Sequence, residues 1–111
     1  MNRIGSYIDE ISKQLGWDEH IKDASYNNLN LLGEGFLRRE SLTKKSEIST
    51  AAAIVGLGAR YAGVDQKKDE KGLTEKIVSC DLCKSVRIYP QNIWAKQKKI
   101  REELKMRMEL S

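Results

Sequence analysis

Three observations predict an all-α fold. Apolar residues recur at helical spacing along most of the chain. The gaps between these runs carry helix stops and starts, such as Gly16 followed by Asp18. The middle of the chain, Ser49-Thr-Ala-Ala-Ala-Ile-Val-Gly-Leu-Gly-Ala-Arg-Tyr-Ala-Gly-Val64, is apolar nearly all round when wound as a helix, which marks a buried helix. No strand-period run competes, and no repeat or low-complexity tract is visible. The 111 residues suffice for one core, so residues 1–111 are expected to form a single five-helix domain.

The first helix is expected over about residues 3–15, where Ile4, Tyr7, Ile8, Ile11 and Leu15 share a face. Gly16 stops it, Trp17 holds the hydrophobic-staple position, and Asp18 caps a second helix over about 18–37. Ile21, Ala24, Asn28, Leu32 and Phe36 lie in register there, while Gly33 and Gly35 blur its end. A polar stretch, Arg39-Glu-Ser-Leu-Thr-Lys-Lys45, leads to the central helix at about 48–62. Ser46 or Ser49 can cap this helix, and Gly63 stands where a C′ glycine would end it.

After the charged run Asp65-Gln-Lys-Lys-Asp-Glu-Lys-Gly72, a fourth helix at about 73–84 carries Leu73, Ile77, Cys80 and Cys83 on one side. Ser85-Val-Arg-Ile-Tyr89 reads as a short extended segment. Pro90 disfavours helix at Tyr89 and suits the first position of a fifth helix, about 90–108. Its apolar stripe is narrow: Ile93, Gln97, Ile100, Leu104 and Met108.

The central segment also admits a second reading. As a strand and turn, Ala53-Ile-Val-Gly-Leu-Gly58 has the outline of a dinucleotide-binding loop. That loop needs Gly-x-Gly-x-x-Gly, and Tyr61 stands where the third glycine should be. No acidic residue ends a second strand about 20 residues on, and the chain is too short for several βαβ units. In the helical reading Gly56 and Gly58 each cost about 1 kcal/mol relative to alanine. Close packing of neighbouring helices must offset that cost.

Charge is distributed unevenly. The net charge is +4, yet Lys84 to Arg107 holds eight Lys/Arg against two Glu, and the rest of the chain holds twelve against fourteen. A positive excess confined to one end suits a polyanion, most simply nucleic acid, although a solvated lysine-rich helix face has the same composition. Met1-Asn-Arg-Ile4 is followed by polar residues, and no run approaches 18 apolar residues, so neither a signal peptide nor a membrane span is expected. The expected location is the cytoplasm, nucleoid-associated in a prokaryote, with reduced thiols.

The order of these features resembles the cyclin-like repeat of the archaeal and eukaryotic general transcription factor B family. Ser6-Tyr-Ile-Asp-Glu-Ile-Ser-Lys-Gln-Leu-Gly16 and Asp18-Glu-His-Ile21 are similar to its first helix and the acidic start of its second. Lys45 to Val64 looks like its buried third helix, with a polar entry, an alanine-rich body and the ending Ala62-Gly-Val64. Leu73-Thr-Glu-Lys-Ile-Val78 with Ile93-Trp-Ala-Lys-Gln-Lys-Lys-Ile100 resembles the closing helix-turn-helix of its second repeat. The resemblance implies a cyclin-like domain that binds duplex DNA, with TATA-binding protein or RNA polymerase as protein partners. It also departs from the family pattern. There is one repeat rather than two, no zinc ribbon, a long segment from Cys80 to Tyr89, and Pro90 at the head of the recognition helix.

In a helix-turn-helix the start of the second helix faces base edges, while the turn and first helix hold phosphates. Gln91, Asn92, Trp94 and Ala95 are therefore the base-contact candidates, and Asn or Gln can pair bidentately with adenine. Thr74, Lys76, Lys84, Ser85, Arg87 and Lys96 are the phosphate-contact candidates. Gln91 and Asn92 equally suit an ordinary polar helix start, and Lys98, Lys99 and Arg101 suit a solvated face. Neutralising Arg87 and Lys96 is expected to weaken binding to any DNA.

Cys80-Asp-Leu-Cys83 is half of a zinc site, since a structural site needs four ligands and His20 is the only histidine. A redox Cys-x-x-Cys starts a helix, whereas this pair falls at the end of the predicted one, so two small core residues are expected. No histidine adjoins a nucleophile, and Asp9-Glu10 and Asp18-Glu19 read as surface pairs. The expectation is a non-enzymatic protein with no cofactor and no metal. The competing class is a protein-binding adaptor that uses the same helical groove. Ile100, Leu104 and Met108 would also permit oligomerisation through the last helix.

Overall fold

The structure, a computed structural model, describes residues 3–61 and 70–110. Among them the chain forms seven helices: α1 (Ile4–Leu15), α2 (Glu19–Leu32), α3 (Glu34–Arg39), α4 (Lys44–Tyr61), α5 (Glu70–Val78), α6 (Asp81–Ser85) and α7 (Pro90–Leu110). No described residue is in a strand.

Helix α4 is the axis of the fold. Every residue from Ile48 to Ala59 is buried, and α1, α2, α5, α6 and α7 all pack on it. This follows from a sequence with almost no polar side chain along that stretch. The core around it takes Ile4, Ile8 and Ile11 from α1, Ile21 and Leu32 from α2, and Ile93 and Ile100 from α7.

Gly56 and Gly58 carry the close contacts. A β-carbon on Gly58 would meet Ser25 of α2, and one on Gly56 would lie 2.6 Å from the Gln97 amide nitrogen of α7. The nucleotide-loop reading is thereby excluded, since both glycines sit in mid-helix.

Local chemistry fixes the ends. Gly16 takes the left-handed conformation (φ 67°), its N–H donates to the Lys13 carbonyl, and the Trp17 N–H donates to the Ser12 carbonyl. The Asp18 carboxylate accepts from the His20 and Ile21 N–H groups and caps α2.

The five expected spans are corrected in four respects. The second helix does not run through to residue 37. Gly33 adopts φ 77° and ψ 158°, which breaks the chain into α2 and α3. The central helix begins at Lys44 rather than 48, because Thr43 caps it. The Thr43 hydroxyl accepts from the Ser46 N–H at 3.0 Å, and the Ser46 hydroxyl accepts from the Thr43 N–H at 2.8 Å. Gly63 and Ala62 lie outside the described residues.

The fourth helix is interrupted after Val78, where Cys80 turns extended (ψ 154°) and starts α6. The segment at 85–89 is not extended. Ser85 closes α6, Arg87 is left-handed (φ 55°), and the Ile88 N–H donates back to the Cys83 carbonyl.

The last helix starts at Pro90 as expected and buries Ile93, Gln97, Ile100 and Leu104. Because Ile100 and Leu104 serve the chain's own core, only Met108 of the oligomerisation stripe is exposed. No helix among the described residues is long and apolar enough to cross a membrane.

Candidate nucleic-acid interface

Helices α4 and α7 both begin at one side of the molecule, and a groove of about 320 Å³ runs between their first turns. Thr43, Lys45, Ser46 and Ser49 line it from the α4 side, and Gln91, Asn92, Ala95, Lys96 and Lys99 from the α7 side. Helix N-termini carry partial positive charge and favour anions. Lys45, Lys96 and Lys99 with several hydroxyl and amide groups place donors there that can meet phosphate oxygens, and Glu40 offsets one of the three positive charges.

Helix α7 is aimed by its own cap. The Asn92 side-chain oxygen accepts from the Tyr89 N–H at 2.9 Å, and the Asn92 N–H donates to the Tyr89 carbonyl. Bidentate recognition of adenine needs that same side-chain oxygen, so Asn92 in this conformation shapes the helix start instead of reading bases. Gln91 and Ala95 are exposed at the groove.

Trp94 lies apart from them. Its indole N–H donates to the Thr74 hydroxyl at 3.1 Å, and Thr74 is buried. This pair ties α5 to α7, which removes Thr74 from the surface a phosphate can reach.

The remaining phosphate candidates divide into two sets. Lys84, Ser85 and Arg87 are exposed at the end of α6 and in the turn that leads into α7. The Ser85 hydroxyl donates to the Leu82 carbonyl at 2.6 Å. Arg87 holds its left-handed backbone at a cost of about 1 kcal/mol. Lys76 stands over the Trp17 ring, 5.7 Å from its centroid, and so braces α5 against the α1–α2 turn.

Lys96 is engaged inside the protein. Its ammonium donates to the Glu40 carboxylate at 2.8 Å and to the Glu40 carbonyl at 2.9 Å. Lys99 reaches the same carboxylate oxygen at 3.4 Å. Burial alone would raise the Glu40 pKa, but the hydrogen bond and charge of Lys96, with Lys99 behind it, hold the carboxyl below its ordinary range. Glu40 and Lys96 are both largely buried, whereas Lys99 is exposed.

The groove residues that sequence reasoning did not single out are Thr43, Lys45, Ser46, Ser49 and Lys99, with Glu40 beside them. A polar stretch before a helix gave no sign that its first turn would lie against another helix start nearly fifty residues on.

The cysteine pair also differs from expectation in its setting. Both residues are buried, as expected, but Cys80 occupies the N-cap of α6 instead of a helix end. A hydrogen bond from Cys83, aided by the Cys83 and Leu82 N–H groups, lowers the Cys80 thiol pKa to about 7, while Cys83 is pushed up. Among the described residues no three His, Cys, Asp or Glu side chains are grouped to hold a metal ion. No family model, curated protein or solved structure matches the chain.

Proposed function

We propose that this chain is a non-enzymatic, duplex-DNA-binding transcription regulator with a cyclin-like core. The observation that carries the reading is the basic groove between the starts of α4 and α7, lined by Lys45, Lys99, Ser46 and Gln91. It adjoins the C-terminal stretch that holds the chain's positive excess. The cyclin-like reading is supported by five longer helices, α1, α2, α4, α5 and α7, with α4 buried among the others. Helices α3 and α6 are short additions to that arrangement.

In this reading Lys45, Lys84 and Arg87 hold phosphates, and Gln91 and Ala95 lie nearest the bases. The occupied Lys96 and Thr74 position the helices. TATA-binding protein or RNA polymerase would be the protein partner, on the family resemblance alone.

A second reading, a protein-binding adaptor, is favoured by an apolar groove of about 440 Å³ at the other end of α7. Tyr61, Leu104 and Met108 line it, flanked by Arg101 and Lys105. Binding of the purified chain to a labelled duplex at 50 and 200 mM salt separates the two. A regulator binds at low salt with strong salt dependence. No binding at low salt supports the adaptor.

A further inference from the structure

We propose that Glu40 is an internal competitor for nucleic-acid phosphate: its carboxylate holds Lys96 and Lys99 of the groove and withholds Lys99 from DNA. The proposal rests on the DNA-binding reading and deepens it. Glu40 ends α3, and its carboxylate oxygen takes both Lys96 (2.8 Å) and Lys99 (3.4 Å) from the groove-facing side of α7. Both lysines also line the groove. A carboxylate between two ammonium groups presents the same kind of negative oxygen that a phosphate would present, at a full charge-assisted hydrogen-bond distance to Lys96 and a longer one to Lys99.

The two lysines are held unequally. Lys96 is largely buried and also donates to the Glu40 carbonyl, so it stays with α3. Lys99 is 58 % exposed and reaches Glu40 at the longer distance, so it is the group that removing the Glu40 charge would free for phosphate. Glu40 itself is anchored: its carbonyl accepts from the Lys96 ammonium at 2.9 Å and shares, at 3.1 Å, the Thr50 hydroxyl that lies closer to the Ser46 carbonyl (2.8 Å). Its charge therefore stays beside the groove and keeps Lys99 engaged.

Glutamine at position 40 keeps the side-chain oxygen that accepts from the lysines and removes only the charge. The test compares Glu40→Gln with a charge-matched control, Glu19→Gln, on the exposed first turn of α2. Binding of each to one 20-base-pair duplex is followed from 50 to 200 mM salt, after thermal melts establish that the variants are folded at the assay temperature.

Glu40→Gln is expected to bind more tightly than both wild type and Glu19→Gln. Its slope of log affinity against log salt should steepen by about 0.9 as Lys99 is released, which makes the affinity ratio across that salt range about 3-fold larger. Wild-type binding with a Glu40→Gln slope equal to that of Glu19→Gln overturns the proposal and leaves the DNA reading standing. No binding by any of the three proteins overturns both.

A measurement on Lys99→Gln does not depend on the fold of the Glu40 variant. The proposal expects little change of slope in the wild-type background, because Glu40 already holds Lys99. A loss of the full 0.9 or so there contradicts it.

Discussion

Gly58 of α4 lies so close to Ser25 of α2 that a β-carbon on it would stand 2.9 Å from the Ser25 amide nitrogen and 3.1 Å from its Cα. Those atoms belong to backbone and cannot step aside. Gly58→Ala should therefore destabilise the protein by about 1–3 kcal/mol through overpacking, although alanine favours an isolated helix by about 1 kcal/mol. Ser25→Ala should not rescue it, because the backbone contact remains. Denaturant midpoints of the single and double variants check this. Gly35→Ala is the control: it meets only an Arg39 guanidinium nitrogen at 3.8 Å, and should be neutral or stabilising by up to about 1 kcal/mol.

Lys96 and Glu40 form the second test. Replacing Lys96 with methionine leaves a largely buried carboxylate with only the more distant Lys99, and should cost about 1–3 kcal/mol. The midpoint of urea unfolding at pH 7 measures it.

The same pair sets an acid response. Glu40 has a folded pKa below its ordinary 4.5. Its contribution is thus fully present above that value and is lost as pH falls through the lowered folded value. Urea midpoints should fall below pH 4.5, and the fall should be shallower in Lys96→Met. An unchanged pH profile in that variant would show that the ion pair does not supply the effect.

Cys80 offers a chemical readout of the α5–α6 break. Its thiol titrates near 7 because Cys83 donates to it. The pH dependence of Cys80 alkylation should therefore centre near 7 in wild type and move toward 9.0 in Cys83→Ala. Equal profiles in the two proteins would contradict the thiol pairing.

How legible the molecule was in its sequence depends on the range of the interaction. The apolar stripes of α1 and α7 and the buried Ile48–Ala59 rod follow from helical period and were readable, as were Gly16, Asp18 and Pro90 as ends. The breaks at Gly33 and Cys80 were not. Gly33 takes φ 77° beneath the Arg107 guanidinium of α7, a tertiary contact. At Cys80 the leucine and cysteine spacing runs on across a gap in the backbone helix. The charge bias drew attention to α7 alone, whereas Lys45 comes to line the groove only because α4 and α7 start side by side. Trp94 and Thr74 looked like separate contacts and prove to be partners of one another.

The most direct test of the proposed interface is the salt dependence of duplex binding by the double variant Lys45→Gln, Arg87→Gln. Lys45 borders the groove, and Arg87 sits in the turn that enters α7. If both hold phosphates, the slope of log affinity against log salt should become shallower by about 1.8, with weaker binding to every sequence. A double variant that binds DNA with the wild-type slope would contradict the account.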